Sequence, residues 1–534
     1  MTTKIYKNGT VITANAANDI AECIAIKGDK IIAVGSESLV MGAVGGETEV
    51  IDLGGKTMLP GFYDAHGHFS MASHLLANVN TNCAPLGTMV NIDDIVAALK
   101  EKEVTLPEGK ELLGHSYDDT LIAEKRHLLR SDLDKVSTTR PIMVMHISGH
   151  LAYVNTKLLE IIGYSAETPE PEGGVIQREA DGHPNGVLEE TAMFHPHLMA
   201  MRFLEGDEAA SAIGPMAQEY VSRGVTTASE AFQMKVDDVA VLHSAYKNGD
   251  LPLRVVVSPA SCILKDMIAK YGQHPYVIIR GGKEFQDGSL QGFTGYLSKP
   301  YHTPFKGDAD YRAYPTRPKE DLAKIITACY AEDIQPVVHC NGDAALDDYL
   351  YAIEVAQNEY PGKDLRPIII HCQTAREDQL DKIKQLGALA SFFIMHVYYW
   401  GNRHRDIFLG PERSRRINPL KSALDRGISF TLHCDTPITP QNPLMAIWIA
   451  VNRRSHEGDY HGQEQCISVM DAIRAYTINS AYQNFEEALT GSLEAGKQAD
   501  LVILDRNPLA CEPMDIKDIK VLATVVRGET VYRA

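Results

Sequence analysis

The sequence predicts an α/β protein: a (β/α)8 TIM barrel, a small composite β-sandwich formed by both chain ends, and a large insertion after barrel strand 1. Three observations predict it. Eight strand-length apolar runs recur through the middle of the chain, helix-like stretches lie between them, and both termini carry short strand-like segments.

Residues 1–57 read as short strands separated by turn signals such as Asn8-Gly9, Gly28-Asp29 and Gly54-Gly55. Such a segment cannot close a core alone. The strand-like stretches 500–504 and 521–531 answer it, so residues 1–57 and 488–534 are expected to pair into one domain. The remaining unit, 58–487, holds the eight runs: 58–64, 225–230, 253–258, 277–284, 335–340, 367–372, 388–394 and 428–434. Helix-like stretches follow several of them, at 319–331, 344–358 and 378–386. Nearly continuous apolar strands alternating with helices imply a parallel sheet buried on both faces, with an active site at the C-terminal strand ends. The gap between the first two runs far exceeds one βα unit of ~30 residues. An insertion over approximately 70–215 is therefore expected, with strands near 112–115 and 142–147, as a lid or pocket wall.

Composition narrows the function classes. The 534 residues carry 51 Lys+Arg against 70 Asp+Glu, a net charge of −19, which disfavours binding to nucleic acid. A hydrophobic content of 44% excludes wholesale disorder. No run reaches the ~18 apolar residues of a membrane span, and the opening residues do not read as a signal peptide. Nine scattered cysteines without a C-x-x-C pair suggest reduced thiols in a cytoplasm.

His66-Gly67-His68 follows the first run. In an extended strand both imidazoles would face the barrel mouth, with the glycine leaving the approach open. Any one H-x-H is unremarkable among 20 histidines. The other strand ends give it weight: His339, His371 and Asp435 each close a run, with separations of 371 − 339 = 32 and 435 − 371 = 64, one and two βα units. Four imidazoles and a carboxylate at one mouth suit Zn²⁺ or a similar divalent ion. Asp435 is then the candidate general base and acid. His146 and His150 in the insertion, with Tyr398 and Trp400 after the seventh run, would face the same mouth. Of these, His150, Tyr398 and Trp400 are the candidate substrate contacts, while Phe392 and Ile394 read as core. Asn341-Gly342-Asp343 reads as a turn and helix cap supporting His339. Cys340, Cys372 and Cys434 adjoin site residues but alternate away from the site.

The motifs LPGFYDAHGHF (59–69), VVHCNGDAALD (337–347), IIHCQ (369–373), HCDTPITPQNPL (433–444) and GSLEAGKQADLVIL (491–504), with HISGHLAYVN (146–155) in the insertion, resemble the amidohydrolase superfamily. The similarity is to its branch of YtcJ-like and N-substituted-formamide-deformylase-like proteins, and covers nearly the whole chain. The resemblance implies that His66, His68, His339 and His371 ligate one or two divalent ions, with Asp435 beside them. It also implies that Lys283 is the lysine that two-metal relatives carboxylate into a bridge; Glu284 is a competing ligand and a salt-bridged lysine the competing role. The expected activity is metal-dependent hydrolysis of an amide or formamide C–N bond in a small organic substrate, without nucleic-acid or membrane partners. Homo-oligomers are common among barrels of this size. Two alternatives remain: a one-metal hydrolytic deaminase of a nitrogen heterocycle, and a non-catalytic ligand-binding or regulatory protein on the same fold.

Overall fold

The computed structural model describes residues 2–201 and 206–534. The chain ends interlock. Thr57–Pro60 pairs antiparallel with Leu501–Leu504 and parallel with Thr10–Ile12, inside a six-stranded sheet that also contains Val521–Val526 and Glu529–Arg533. A four-stranded sheet of Thr3–Lys7, Cys23–Lys27, Lys30–Gly35 and Thr48–Asp52 packs on it. Tyr6, Ile24 and Ile26 of the smaller sheet share one apolar cluster with Val11, Met58, Leu501 and Val525 of the larger. The alternating residues of each strand supply that cluster, which neither terminus could assemble by itself.

The middle of the chain forms a TIM-barrel-like α/β core from two parallel arcs. One arc contains Phe62–Tyr63, Val225–Ala231, Arg254–Ser258 and Val277–Ile279. The other contains Gly282–Phe285, Pro336–Cys340, Ile368–His371, Leu389–Phe392 and Phe430–Leu432. These strands are almost wholly buried, as apolar runs covered on both faces should be. Helices Lys319–Ala331, Asp343–Glu359 and Glu377–Leu386 lie where the sequence placed helical stretches.

Two of the eight expected runs prove composite. The first divides at Gly61: Thr57–Pro60 belongs to the sheet of the chain ends, and only Phe62–Tyr63 enters the barrel arc. The fourth divides at Gly281, whose φ of 76° breaks the strand. Among the described residues no ladder closes the ring. At one seam the Lys283 amide donates to Pro259 O (2.7 Å). At the other, Tyr63 N donates to Tyr476 O (2.9 Å), and the Gln483 side chain bridges Ala65 O (3.0 Å) and Thr431 Oγ1 (2.8 Å). Loop and side-chain groups thus satisfy backbone that a closed barrel would pair strand to strand.

Residues between the first two arc strands carry their own six-stranded sheet, running Gly174–Arg178, Pro184–Glu190, Leu151–Val154, Ile142–His146, Leu112–Tyr117, Val79–Asn80. Apolar clusters stand on each of its faces.

Candidate metal centre

His66 and His68 sit just beyond Phe62–Tyr63, in the loop leading into helix Phe69–Leu75. The loop is tied down where His68 N donates to Thr436 O (2.7 Å). A Cβ at Gly67 would meet Asp64 Oδ2 at 3.2 Å, a tight contact, and Thr436 N at 3.6 Å, an ordinary one, so the His66–His68 loop lies close against the segment that carries Asp435.

The other three residues sit at or just past the C-terminal ends of their strands: His339 next to last in Pro336–Cys340, His371 last in Ile368–His371, and Asp435 three residues beyond Phe430–Leu432. His371 (φ 72°) and Asp435 (φ 54°) adopt left-handed backbone, sharp bends that turn both side chains into the mouth. Each such conformation costs on the order of 1 kcal/mol in a non-glycine residue, and clusters at functional sites. The result is convergence. His66 Nε2 lies 3.5 Å and His68 Nε2 3.6 Å from Asp435 Oδ1, while His371 Nε2 lies 3.9 Å from Asp435 Oδ2. The His339 and His371 ring centroids are 4.5 Å apart. These five side chains and Lys283 line one cavity.

The remaining ring nitrogens show how the imidazoles are aimed. His68 donates Nδ1–H to Ala231 O at 3.0 Å, and His339 donates Nδ1–H to Asp287 Oδ1 at 3.2 Å. Outer partners of this kind set the tautomer and present Nε2 to the centre. Sequence reasoning missed Asp287. It is fully buried and accepts from the amides of Asn341 (2.9 Å), Gly342 (2.7 Å) and Tyr296 (3.0 Å). Its signal was period-2 phase with Lys283, continued past the strand end. Asn341 Nδ2 donates to Gly288 O (3.0 Å) and lies 3.3 Å from His339 Nε2, the nitrogen an ion would take up. The helix cap, however, comes from elsewhere: the Tyr296 carbonyl accepts from Ala344 and Ala345.

Burial, reinforced by Lys283 and neighbouring imidazoles, holds His66, His339 and His371 well below the ordinary histidine pKa, in the neutral form that ligates. Burial pushes the Asp435 carboxyl up, against the attraction of Lys283. Among the described residues, Asp435 Oδ1 and Lys283 Nζ have no hydrogen-bond partner. The ligand atoms of His66, His371 and Asp435 all lie within 4.8 Å of one another. Neutral nitrogens around an unpartnered carboxylate oxygen fit a divalent ion.

Burial draws the Lys283 ammonium down, against the attraction of Asp435, and its Nζ stands 5.1 Å from the Phe285 ring centroid. Glu284 alternates out of the cavity, accepting from Ser261 and from Arg317 (2.8 Å), so it does not compete for the ion.

The expected substrate contacts separate. His150 lines the cavity, its ring 4.7 Å from that of His339. Trp400 lines an adjoining polar recess and donates Nε1–H to Asp118 (3.3 Å). Tyr398 does not reach the mouth; it packs on Trp448 with ring centroids 5.9 Å apart. The seventh strand stops at Phe392 and helix Met395–Arg403 follows, so helical phase replaces alternation. His396 and Trp400, four apart, share the inner face and Tyr398 turns away. His146 is likewise drawn off, to Asp119 Oδ1 (3.0 Å) and Ser148.

His433 was also missed, though it shares strand phase with Asp435. Its ring stacks on Phe393 at 5.3 Å and sits 5.2 Å from both His66 and His371. The three site-flanking cysteines lie in the core, where burial raises their thiol pKa values and Cys434 meets the Tyr476 hydroxyl at 3.2 Å.

A family model described as "Amidohydrolase family" matches residues 49–532. The N-substituted formamide deformylase of Arthrobacter pascens is 27% identical over 539 residues, covering 98% of this chain and 97% of that protein. The putative amidohydrolase YtcJ of Bacillus subtilis (strain 168) is 28% identical over 554 residues, covering 99% of each. Among solved structures, an uncharacterized metal-dependent hydrolase from Pyrococcus horikoshii OT3 superposes with a TM-score of 0.75 at 24% identity. That match covers 96% of this chain and 99% of the other.

Proposed function

The chain belongs to the amidohydrolase family, and on that premise we propose that it is a metal-dependent hydrolase of a carbon–nitrogen bond, of amide or formamide type, in a small organic substrate. The observation that carries this is the meeting of His66, His371 and Asp435 ligand atoms within 4.8 Å, at strand ends remote in sequence.

His66, His68, His339 and His371 would hold the ion with Asp435. Zn²⁺ is the ion this nitrogen-rich set favours. Lys283, as its carbamate, would offer a second ion an anionic oxygen donor that a free ammonium is not. Its partnerless Nζ at the cavity wall supports that role. When bound, a divalent ion supplies Lewis acidity to the substrate carbonyl and lowers the pKa of a water molecule from 15.7 to about 7.

The chain's own groups do the rest. Asp435 takes the proton of the attacking water on Oδ1 and returns it to the leaving nitrogen. His68 and His339 are held in register by Ala231 O and Asp287. Met71, Phe194, Phe232 and Ile438 form the apolar rim that receives the substrate's organic part and excludes bulk water. The described helices include none long and apolar enough to cross a membrane, and the nine free cysteines suit the reducing cytoplasm proposed as its compartment.

The test is metal-quantified protein assayed on a formamide and amide panel, with formate or carboxylate and ammonia measured separately. Formate or carboxylate release with one or two ions per chain supports the reading. Ammonia release from an aminated heterocycle, with one ion, would replace it by the deaminase. Inertness of the metal-loaded protein across the panel would favour a binding role.

A further inference from the structure

We propose that Glu190 and His150, both supplied by the insertion, form a recognition pair for a hydrogen-bond donor on the substrate, namely the N–H of a secondary amide. Glu190 is the positioning residue of the pair. The inference deepens the amide-hydrolase reading and rests on it.

His150 Nδ1 lies 2.9 Å from Glu190 Oε2. A carboxyl oxygen there accepts, so Nδ1 is the donor nitrogen and the ring's remaining acceptor is Nε2, on its opposite edge. His150 borders both the main cavity and the polar recess beside it. Glu190 also lines the main cavity, yet its side chain is only 4% exposed. Among the described residues its second oxygen, Oε1, has no hydrogen-bond partner. That oxygen is enclosed beside Gly288 and Thr294, so the acceptor the pair offers to a ligand is His150 Nε2, with Glu190 fixing the ring.

The arrangement is built rather than incidental. Glu190 ends strand Pro184–Glu190 with φ 49° and ψ −120°, a left-handed conformation rare outside glycine. Its amide donates to the His150 carbonyl (3.0 Å), which locks the two residues to each other through backbone as well as side chains. Gly288 makes room for the carboxyl: a Cβ at that position would fall 1.8 Å from Glu190 Oε1.

The His150 acceptor therefore stands on the insertion side of the cavity, its ring 4.7 Å from that of the ligand His339, with apolar Phe194, Phe232 and Phe285 lining the same cavity. A substrate whose carbonyl reaches the ligand set can offer its amide N–H to His150 Nε2. An N-methylated amide cannot, and leaves that acceptor unpaired. Sites that hydrogen-bond a substrate N–H or O–H discriminate strongly against analogues lacking it.

The experiment compares kcat/KM of the metal-loaded full-length protein on formanilide and N-methylformanilide, for wild type, Glu190→Gln and His150→Gln. Bound metal and circular dichroism are measured on each. The expected result is a wild-type preference for formanilide of about 10-fold or more. Both variants should lose most of that preference, formanilide turnover falling several-fold more than N-methylformanilide turnover, with metal content retained. Equal wild-type rates on the two substrates, or variants that lower both rates in proportion, would overturn the pair while leaving amide hydrolysis standing. A wild type inert on both would overturn the amide reading and the pair with it.

Discussion

His339 Nδ1 and Asp287 Oδ1 stand 3.2 Å apart, and the same Asp287 carboxyl accepts the amides of Asn341, Gly342 and Tyr296. One buried side chain thus joins the loop after Gly282–Phe285 to the end of strand Pro336–Cys340, so that the His339 imidazole cannot turn without breaking the joint between two barrel strands.

Asp287→Asn removes an acceptor from the Nδ1–H and can offer a competing donor in its place. We expect metal affinity to fall by about 10–100-fold, the usual effect of losing such an outer partner. Chelator competition followed by elemental analysis measures it. Unchanged affinity would refute the role.

Asp435→Asn keeps the side chain's size but not its proton-accepting oxygen. Turnover should fall by a factor of ~10²–10⁴ with bound metal largely retained. Wild-type turnover in that variant would remove Asp435 from the proton path. His66→Ala, by contrast, should lower metal content itself.

Helical phase after Phe392 separates two neighbours. Trp400→Ala opens the recess beside Asp435 and breaks the bond to Asp118, so KM should rise several-fold. Tyr398→Phe should behave as wild type, because the Tyr398 ring faces Trp448 and not the cavity. Steady-state kinetics on one shared substrate decides between them; equal effects would put the strand register back in question.

Below the mouth, Glu486 accepts from Tyr63 Oη at 2.9 Å and from Arg254, all three being buried. Glu486→Leu leaves the Arg254 guanidinium buried without its partner, and such losses cost about 3–5 kcal/mol. Urea or thermal unfolding should show the loss. The folded fraction should still bind metal, since none of the three lines the cavity.

Period and residue type were enough, in the sequence, to locate eight apolar runs, the helical stretches 319–331, 344–358 and 378–386, and the candidate ring of His66, His68, His339, His371 and Asp435. A strand buried on both faces must be apolar along its length, so polar residues at its end stand out, and equal spacing along the chain reflects the repeating βα unit. Tertiary structure decided the rest, because those features depend on which segments meet. Whether alternation continues past Phe392 depends on where the strand loses its neighbour, and it is lost in time to turn Tyr398 outward. Asp287 and His433 share strand phase with Lys283 and Asp435, but phase alone does not mark them out, and Glu190 has no such pattern at all. Their importance arises when folding removes water from their polar atoms, and contacts 40 to 52 residues away along the chain supply Glu190 and Asp287 with partners. Likewise the division of the first run at Gly61 follows from Leu501–Leu504, a partner more than 400 residues away, which no local period could announce.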